Sequence, residues 1–315
     1  MSRSIDVTIE GLGAQGDGIA RTGDDKLYVP LALPGEQVRV TPGGKQGDGI
    51  AARLDDILTP SADRVDAACP HFQDCGGCSL QHLASDAYLQ FKYESVRRSL
   101  RQRGLDESVV RQPLAFQPGT RRRVTLAARM AKQGLILGFH QKRGHHVVDI
   151  HECAIAARPI EALLPGLRAL LADILPKAGK ATIRMTAVDN GVDMVIDAGM
   201  SLGMELRERL AAFALDSDLA RLSWKDDRDE EPVIVQRAPV VQFGGIKVAL
   251  PTSVFLQASA ESGQALIDYV LRHVGDAAAI ADLFSGVGTF SFPLASPVCR
   301  LIRCDGAGPT RCLGC

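Results

Sequence analysis

Residues 279–295 read Ala-Ile-Ala-Asp-Leu-Phe-Ser-Gly-Val-Gly-Thr-Phe-Ser-Phe-Pro-Leu-Ala, and this stretch decides the fold. A short apolar strand leads into a Gly286-x-Gly288 turn, and a helix is predicted after the turn. This arrangement brings backbone close to a bound nucleotide-like ligand. A tight strand-to-helix turn without a ligand fits equally well, because the third glycine of dinucleotide-binding loops is absent. Asp305, 17 residues beyond Gly288 and at the end of the next predicted strand, could accept hydrogen bonds from ribose hydroxyls.

The chain on either side of this stretch predicts a multidomain α/β protein. Residues 1–60 contain short strand-like runs between glycine turns, which predicts a small five-stranded barrel of the oligonucleotide-binding (OB) type. Residues 61–254 predict a mixed α+β domain that begins with a loop-like cysteine segment, 69–82, and a helix over 85–103. Residues 255–315 predict a helix over 260–274 and then the start of a βαβ unit. Within the central region the predicted strands are 124–127, 135–139, 147–150, 181–185 and 195–196, and the predicted helices are 159–172 and 202–213.

Four cysteines suggest a metal centre. Cys69, Cys75 and Cys78 lie within ten residues, and two glycines between the last two let the backbone wrap tightly around a centre. With Cys153 they could form a four-thiolate site for zinc or for an iron–sulfur cluster. Zinc ribbons usually carry two CxxC pairs, whereas this segment has one, and a redox CxxC would leave Cys69 and Cys153 without a role. Isolated structural cysteines are the remaining alternative.

Charge is distributed unevenly along the chain. The net charge is only −1, but the segment from Gln90 to His145 holds 13 Lys or Arg against three acidic residues. Such asymmetry indicates an anionic partner or a solvated basic face. The amino terminus has no apolar signal region and no stretch has the length of a membrane helix, so we expect a cytoplasmic protein whose thiols stay reduced.

Several motifs, taken together and in order, resemble the RNA (uracil-5-)methyltransferase family. Residues 5–58 are similar to the RNA-binding TRAM domain of that family, and the resemblance runs over residues 1–308. The most similar branch methylates ribosomal RNA. The motifs that carry the resemblance are Cys69-Pro-His-Phe-Gln-Asp-Cys75-Gly-Gly-Cys78-Ser-Leu-Gln81-His82 with Cys153, Phe255-Leu-Gln257-Ala-Ser259, and Asp282-Leu-Phe284-Ser-Gly-Val-Gly-Thr289-Phe.

The resemblance implies an S-adenosylmethionine (SAM)-dependent enzyme that methylates C5 of uridine in RNA, with no membrane and no obligate protein partner. The basic residues Arg121–Arg123 would hold RNA phosphates, which makes binding depend on salt. Ser259 and Ser285 stand where many relatives have Asn and Cys. The implied [4Fe–4S] ligands are Cys69, Cys75, Cys78 and Cys153. The implied SAM contacts are Gln257, Phe284, Gly286, Gly288, Thr289 and Asp305.

The catalytic motifs of the family do not occur in these 315 residues. The chemistry needs a cysteine thiolate that adds to C6 of uracil and a base that removes the C5 proton. Relatives carry the thiolate in a Ser-Cys-Asn-Pro motif, after an Asp-Pro-Pro-Arg motif. We therefore assign no catalytic residue and expect a truncated or frame-shifted product with an incomplete cofactor domain, in which Cys312-x2-Cys315 is accidental. The alternative is a non-enzymatic RNA-binding module with a structural iron–sulfur or zinc centre.

Overall fold

The structure, a computed structural model, describes residues 3–227, 229–295, 300–304 and 311–313. The chain divides into two compact units, which are described separately below. The first comprises Met1–Ala115 and His140–His145, and the second comprises Phe116–Phe139 and His146–Cys315. Among the described residues, no helix has both the length and the apolar character that crossing a membrane requires.

A six-stranded sheet forms the base of the first unit. Its strands are β1 (Ile5–Thr8), β2 (Gly11–Leu12), β3 (Gly18–Thr22), β4 (Asp25–Val29), β5 (Gln37–Gln46) and β6 (Gly49–Thr59). The spatial order is β1-β5-β6-β4-β3-β2, and β4 and β6 form its parallel pair. Val38 and Val40 point into the core while their neighbours face solvent, which is the period of a half-buried strand. The core beneath the sheet contains Ile9, Ala20, Leu27, Val29, Ala32, Val38, Val40 and Ala52.

The sequence predicted five strands for residues 1–60, and this number is wrong because the sheet has six strands. The additional strand is β2, which lies in the glycine-rich stretch that ends at Gly18, where β3 begins. Position 18 requires glycine because a Cβ there would lie 2.9 Å from the carbonyl oxygen of Ala32. A glycine inside a strand often marks such a close backbone approach.

The cysteine segment follows the sheet and has no helix or strand of its own between residues 60 and 84. An isolated antiparallel bridge between Arg64 and Leu83 ties its two ends together. Helix α1 (Ser85–Arg101) comes next and buries none of its side chains completely. It ends close to the predicted stop, where Gly104 has a φ of 67°.

A seven-stranded sheet dominates the second unit. Its strands are β7 (Arg123–Ala131), β8 (Gly134–His140), β9 (Val147–Asp149), β10 (Lys180–Val188), β11 (Gly191–Asp197), β12 (Arg221–Lys225) and β13 (Glu230–Val235). Their order is β13-β12-β11-β10-β7-β8-β9, with β11 and β12 parallel. Four of the five strands predicted from sequence lie within observed strands, and the fifth, 147–150, runs one residue beyond β9; β12 and β13 were not predicted.

Three helices cover this sheet. They are α2 (Arg158–Glu161), α3 (Leu164–Ile174) and α4 (Met204–Asp216). The single helix predicted over 159–172 is two helices, since the chain turns at Ala162–Leu163 and restarts with Pro165 in the first turn. Leu167 and Leu171 are buried from α3, and they share one hydrophobic core with Trp224 of β12.

The last part of the second unit carries the predicted βαβ element. A hairpin, β14 (Val240–Phe243) and β15 (Ile246–Ala249), precedes helix α5 (Ala260–Val274). Strand β16 (Ala279–Leu283), helix α6 (Ser291–Leu294) and strand β17 (Arg300–Cys304) follow, and β18 (Arg311–Leu313) completes the described part. Because β16 and β17 are parallel, the predicted strand–helix–strand arrangement is confirmed, and β18 adds an antiparallel strand beside β17.

Candidate cofactor and RNA sites

The glycine turn lies at the carboxyl end of β16. Phe284, Gly286 and Gly288 all have positive φ angles, of 59°, 53° and 90°. A bulky residue with positive φ costs on the order of 1–3 kcal/mol, and such residues concentrate at functional sites. A Cβ on Gly286 would meet no atom of the described residues within 4 Å, and the Phe284 ring is 86% exposed. Phe284 and Gly286 are therefore the exposed residues of the turn, whereas Ser285 and Gly288 are buried.

The turn is fixed on its inner side. The Gly288 amide donates to the Ser285 carbonyl at 2.8 Å, and the Ser291 hydroxyl donates to the Asp282 carboxylate. Ser285 is buried, so the small side chain found at this position suits its packing. Val287 packs against the hydrophobic cluster of this part of the unit. Strand end, turn and α6 therefore form one well-anchored element.

The segment around Gln257 packs on the same hydrophobic cluster. Leu256 is completely buried in that cluster, against which Val287 also packs. Ser259 is the N-cap of α5 and forms a capping box with Ser262. Serine and asparagine are both favoured N-cap residues, so Ser259 can cap the first turn of α5 as an asparagine at this position would. One cluster thus supports both of the segments that the sequence analysis assigned to cofactor binding.

Arg122, which immediately precedes β7, holds this segment in place. Its amide donates to the Ala258 carbonyl at 2.8 Å, and its Nε donates to the Gln257 carbonyl at 3.0 Å. Burial lowers the pKa of the Arg122 guanidinium. The expectation that Arg121–Arg123 all hold RNA phosphates is wrong for Arg122, because this side chain is buried and braces the Gln257 backbone.

The half-buried Arg123 forms a cation–π pair with the exposed Phe255, which lies two residues before Gln257 in the chain. The Arg123 guanidinium carbon lies 4.3 Å from the centroid of the Phe255 ring, and that ring is 67% exposed. Desolvation, followed by the nearby charge of Arg121, lowers the pKa of Arg123. A cation over an open aromatic face is a surface on which nucleic acid bases stack. The sequence analysis quoted Phe255 within a motif but gave it no role.

Four cysteine thiols were assigned to a metal centre from the sequence. Cys69, Cys75, Cys78 and Cys153 are not in disulfides, and Cys153 belongs to the second unit. Cys75 is buried, and its sulfur accepts a hydrogen bond from the Gly77 amide at 3.4 Å. The donor chemistry therefore suits thiolate ligation, in which amide hydrogen bonds to sulfur are common. Over the described ranges, however, no three His, Cys, Asp or Glu side chains are arranged to hold a metal ion.

The remaining predicted contacts are Thr289 and Asp305. Thr289 lies in the described turn and is half-buried. Asp305 lies outside the described residues.

Comparison with known proteins assigns the family. The TRAM domain model matches residues 3–51. An RNA methyltransferase of Brucella suis is 39% identical over 295 residues, covering 93% of this chain and 68% of that protein. The chain belongs to a family of RNA methyltransferases. Another RNA methyltransferase, from Caulobacter vibrioides, is also 39% identical and covers 92% of this chain and 69% of its own length.

Two further family comparisons bear on the branch and on the fold. A 23S rRNA (uracil(1939)-C(5))-methyltransferase of Tolumonas auensis is 28% identical over 313 residues, covering 97% of this chain and 70% of its own length. The crystal structure of Pyrococcus abyssi tRNA (uracil-54, C5)-methyltransferase in complex with S-adenosyl-L-homocysteine superposes with a TM-score of 0.68 at 20% identity. The superposition covers 96% of this chain and 73% of the Pyrococcus abyssi chain. The methyltransferase-like fold therefore extends over nearly all of this chain.

Proposed function

We propose that this RNA methyltransferase uses SAM to methylate C5 of uridine, and that its RNA is ribosomal. The observation that carries the proposal is the strained, open turn Phe284–Gly288, which shares its supporting cluster with the Gln257 segment in a chain of this family. The ribosomal assignment is supported by the name of the Tolumonas auensis relative. Such an RNA substrate accords with a cytoplasmic location.

The proposed SAM contacts are Gln257, Phe284, Gly286, Gly288, Thr289 and Asp305. Among the described ones, the exposed Phe284 ring offers a stacking face for adenine, and the open space over Gly286 admits a ligand close to the backbone. When bound, SAM supplies an electrophilic methyl group. The contribution of these residues is to orient it, with the turn held rigid by the Asp282–Ser291 hydrogen bond.

The proposed contact for the target base is the pair Arg123–Phe255. Phe255 is two residues from Gln257, so a base stacked on its ring would lie beside the proposed cofactor contacts. Arg122 fixes this spacing by binding the Gln257 carbonyl. In this proposal the chain's own residues bind the target base and SAM and align them with each other. This alignment lowers the entropic cost of bringing the two reactants together.

Mutating the turn tests the cofactor proposal. Gly286 and Gly275 have almost the same φ, 53° and 54°, and among the described residues no atom lies within 4 Å of a Cβ at either position. Alanine therefore introduces the same backbone strain at both, on the order of 1 kcal/mol. We expect calorimetry to detect S-adenosylhomocysteine binding that weakens at least about tenfold in Gly286→Ala (~1.4 kcal/mol) but not in Gly275→Ala. Equal effects, or no binding by the parent chain, would contradict the proposal.

We also propose that Cys69, Cys75, Cys78 and Cys153 hold a [4Fe–4S] cluster. Support comes from the thiolate chemistry of four cysteines that form no disulfide and from the hydrogen bond that the Gly77 amide donates to the Cys75 sulfur. Iron, sulfide and zinc should be measured on anaerobically purified chain. We expect four irons and four sulfides per chain, as the cluster formula requires, and we expect both to be lost in Cys153→Ser. Zinc without sulfide would replace the cluster with a structural zinc site.

The domain division proposed from the sequence is 1–60, 61–254 and 255–315. It is supported by the TRAM match to residues 3–51 and by the change from the seven-stranded sheet to the β16–β17 element. In this division the last region belongs to the SAM-binding domain.

A further inference from the structure

The turn at His140–His145 occupies a distinctive place in the first unit. Its His140 carbonyl accepts the Gly76 amide at 2.9 Å, and its Lys142 amide donates to the Asp74 carbonyl. On the cysteine segment, a Cβ at Gly76 would lie 2.6 Å from the His140 oxygen, so glycine is required for this approach. The turn is therefore docked on the cysteine segment through its backbone.

The same turn reaches the six-stranded sheet through its side chains. Lys142 and Arg143 both form ion pairs with Asp17, which is only 2% exposed. The Arg143 guanidinium also donates to the side-chain oxygen of Gln15 at 3.3 Å and contacts the side chain of Gln46. A buried carboxylate needs such cationic partners, and here it fixes two cationic side chains in position.

Arg143 is held in a strained conformation. Its φ is 58°, a left-handed value that costs a non-glycine residue on the order of 1–3 kcal/mol. A glycine would fit this turn without strain, but it could not provide the guanidinium. Strain of this kind persists where the surroundings over-determine it and points to a functional constraint.

A cavity of about 360 Å³ opens beside this cluster. Its cationic lining comes from Lys142, Arg143 and Lys92 of α1, and its apolar lining includes Phe91 and Leu80. Lys92 lies over the rings of Tyr88 and Phe91, and no described carboxylate pairs with it. Three cations against the single carboxylate of Asp17 leave a net local charge of about +2. A cavity with fixed cations and apolar walls suits a phosphodiester together with part of its nucleoside.

We propose that this cavity is a nucleotide-binding pocket for a single-stranded segment of the RNA substrate. Lys92 and Lys142 bind its phosphate, and Arg143 is a positioning residue that keeps the turn and Lys142 against Asp17. The pocket lies wholly within the first unit and involves none of the proposed cofactor contacts. The inference rests on the proposed function only in taking RNA as the ligand.

Lys92→Ala is the decisive variant, because Lys92 is exposed and pairs with no described carboxylate, so a purely structural cluster would not need it. One phosphate contact to single-stranded RNA contributes about 0.7 to the slope of log affinity against log salt, which is about fourfold in affinity at 0.15 M. The probe is a fluorescein-labelled single-stranded RNA of about 12 nucleotides, followed by anisotropy across a salt series. Lys177→Ala, an exposed lysine in the turn before β10, is the matched control.

We expect Lys92→Ala and Lys142→Ala each to lose about fourfold in affinity and about 0.7 in salt slope, while Lys177→Ala keeps both. The melting temperature should stay unchanged in Lys92→Ala. A wild-type salt slope in Lys92→Ala would overturn the pocket while leaving the proposed function intact. If the parent chain binds no RNA, the proposed RNA function itself is overturned. Binding of S-adenosylhomocysteine tests the cofactor site separately, and these variants should not alter it.

Discussion

Replacing Phe255 should separate RNA binding from folding. The ring is 67% exposed, so about one third of roughly 200 Å² is buried on folding. At about 25 cal/mol per Å², this area contributes about 1.6 kcal/mol, and the Arg123 contact adds about 0.5–1 kcal/mol. Phe255→Ala should therefore lower the free energy of unfolding by about 2 kcal/mol, which leaves a domain of ordinary stability folded. Loss of base stacking should weaken RNA binding by about 1–3 kcal/mol, or about 5- to 150-fold.

Two further substitutions at Phe255 isolate the stacking contribution. Phe255→Leu keeps most of the buried apolar area but removes the aromatic face, so RNA affinity should fall while stability changes little. Phe255→Trp keeps a stacking face and should bind RNA at least as tightly as the parent chain. The assay is RNA titration followed by anisotropy, with urea unfolding on the same samples. Parent-like RNA affinity in Phe255→Leu would refute the role proposed for this ring.

Three other perturbations follow from the structure. Gly138→Ala would drive a Cβ into a backbone carbonyl of β9 and should lower the free energy of unfolding by about 3 kcal/mol or more, whereas Gly44→Ala, which meets no atom within 4 Å, should change it by less than about 0.5 kcal/mol in urea denaturation. Burial lowers the pKa of His82 to about 4 from its ordinary 6.5. Between pH 6.5 and pH 4 the unfolded chain therefore binds a proton at this residue that the folded chain does not. The free energy of unfolding should fall by about 3 kcal/mol as the pH drops through this range. Urea titrations of His82→Phe should lack this component, and an unchanged pH profile would count against it. Asp193→Asn removes the buried partner of Arg221 and should cost about 3–5 kcal/mol by the same measurement, with a cost below about 1 kcal/mol contradicting the pair's importance.

The parts of the fold that the sequence predicted correctly have strong local signals. The glycine turn was located because glycines at 286 and 288 follow an apolar run, and the structure places positive φ angles at both. Helix α5 matches its prediction because its apolar positions recur at helical spacing and a serine caps it.

The strands that were not predicted depend on tertiary contacts and lack a clear local sequence pattern. Strand β12, Arg221–Lys225, is short and carries charges at both ends, yet it buries Leu222, Ser223 and Trp224 between two neighbouring strands. Strand β13 includes a proline and two glutamates, and it is tolerated because it lies at the edge of the sheet.

The supporting contacts of the candidate site could not be predicted from the sequence. A run of three arginines cannot reveal which one is buried, and the bond from Arg122 to Gln257 joins residues 135 positions apart in the chain. The same holds for the Arg123–Phe255 pair and for the Asp17 cluster, whose members come from distant segments. Such long-range contacts have no periodicity that a sequence could display.

The most direct test of the central claim is to irradiate the chain with methyl-tritiated SAM and to map the cross-linked peptide. The account predicts saturable labelling, suppressed by S-adenosylhomocysteine, in the peptides that contain Gln257 or the Phe284–Thr289 turn. Saturable labelling confined to the first unit, or none above that of a heat-denatured control, would contradict the assignment of the cofactor site.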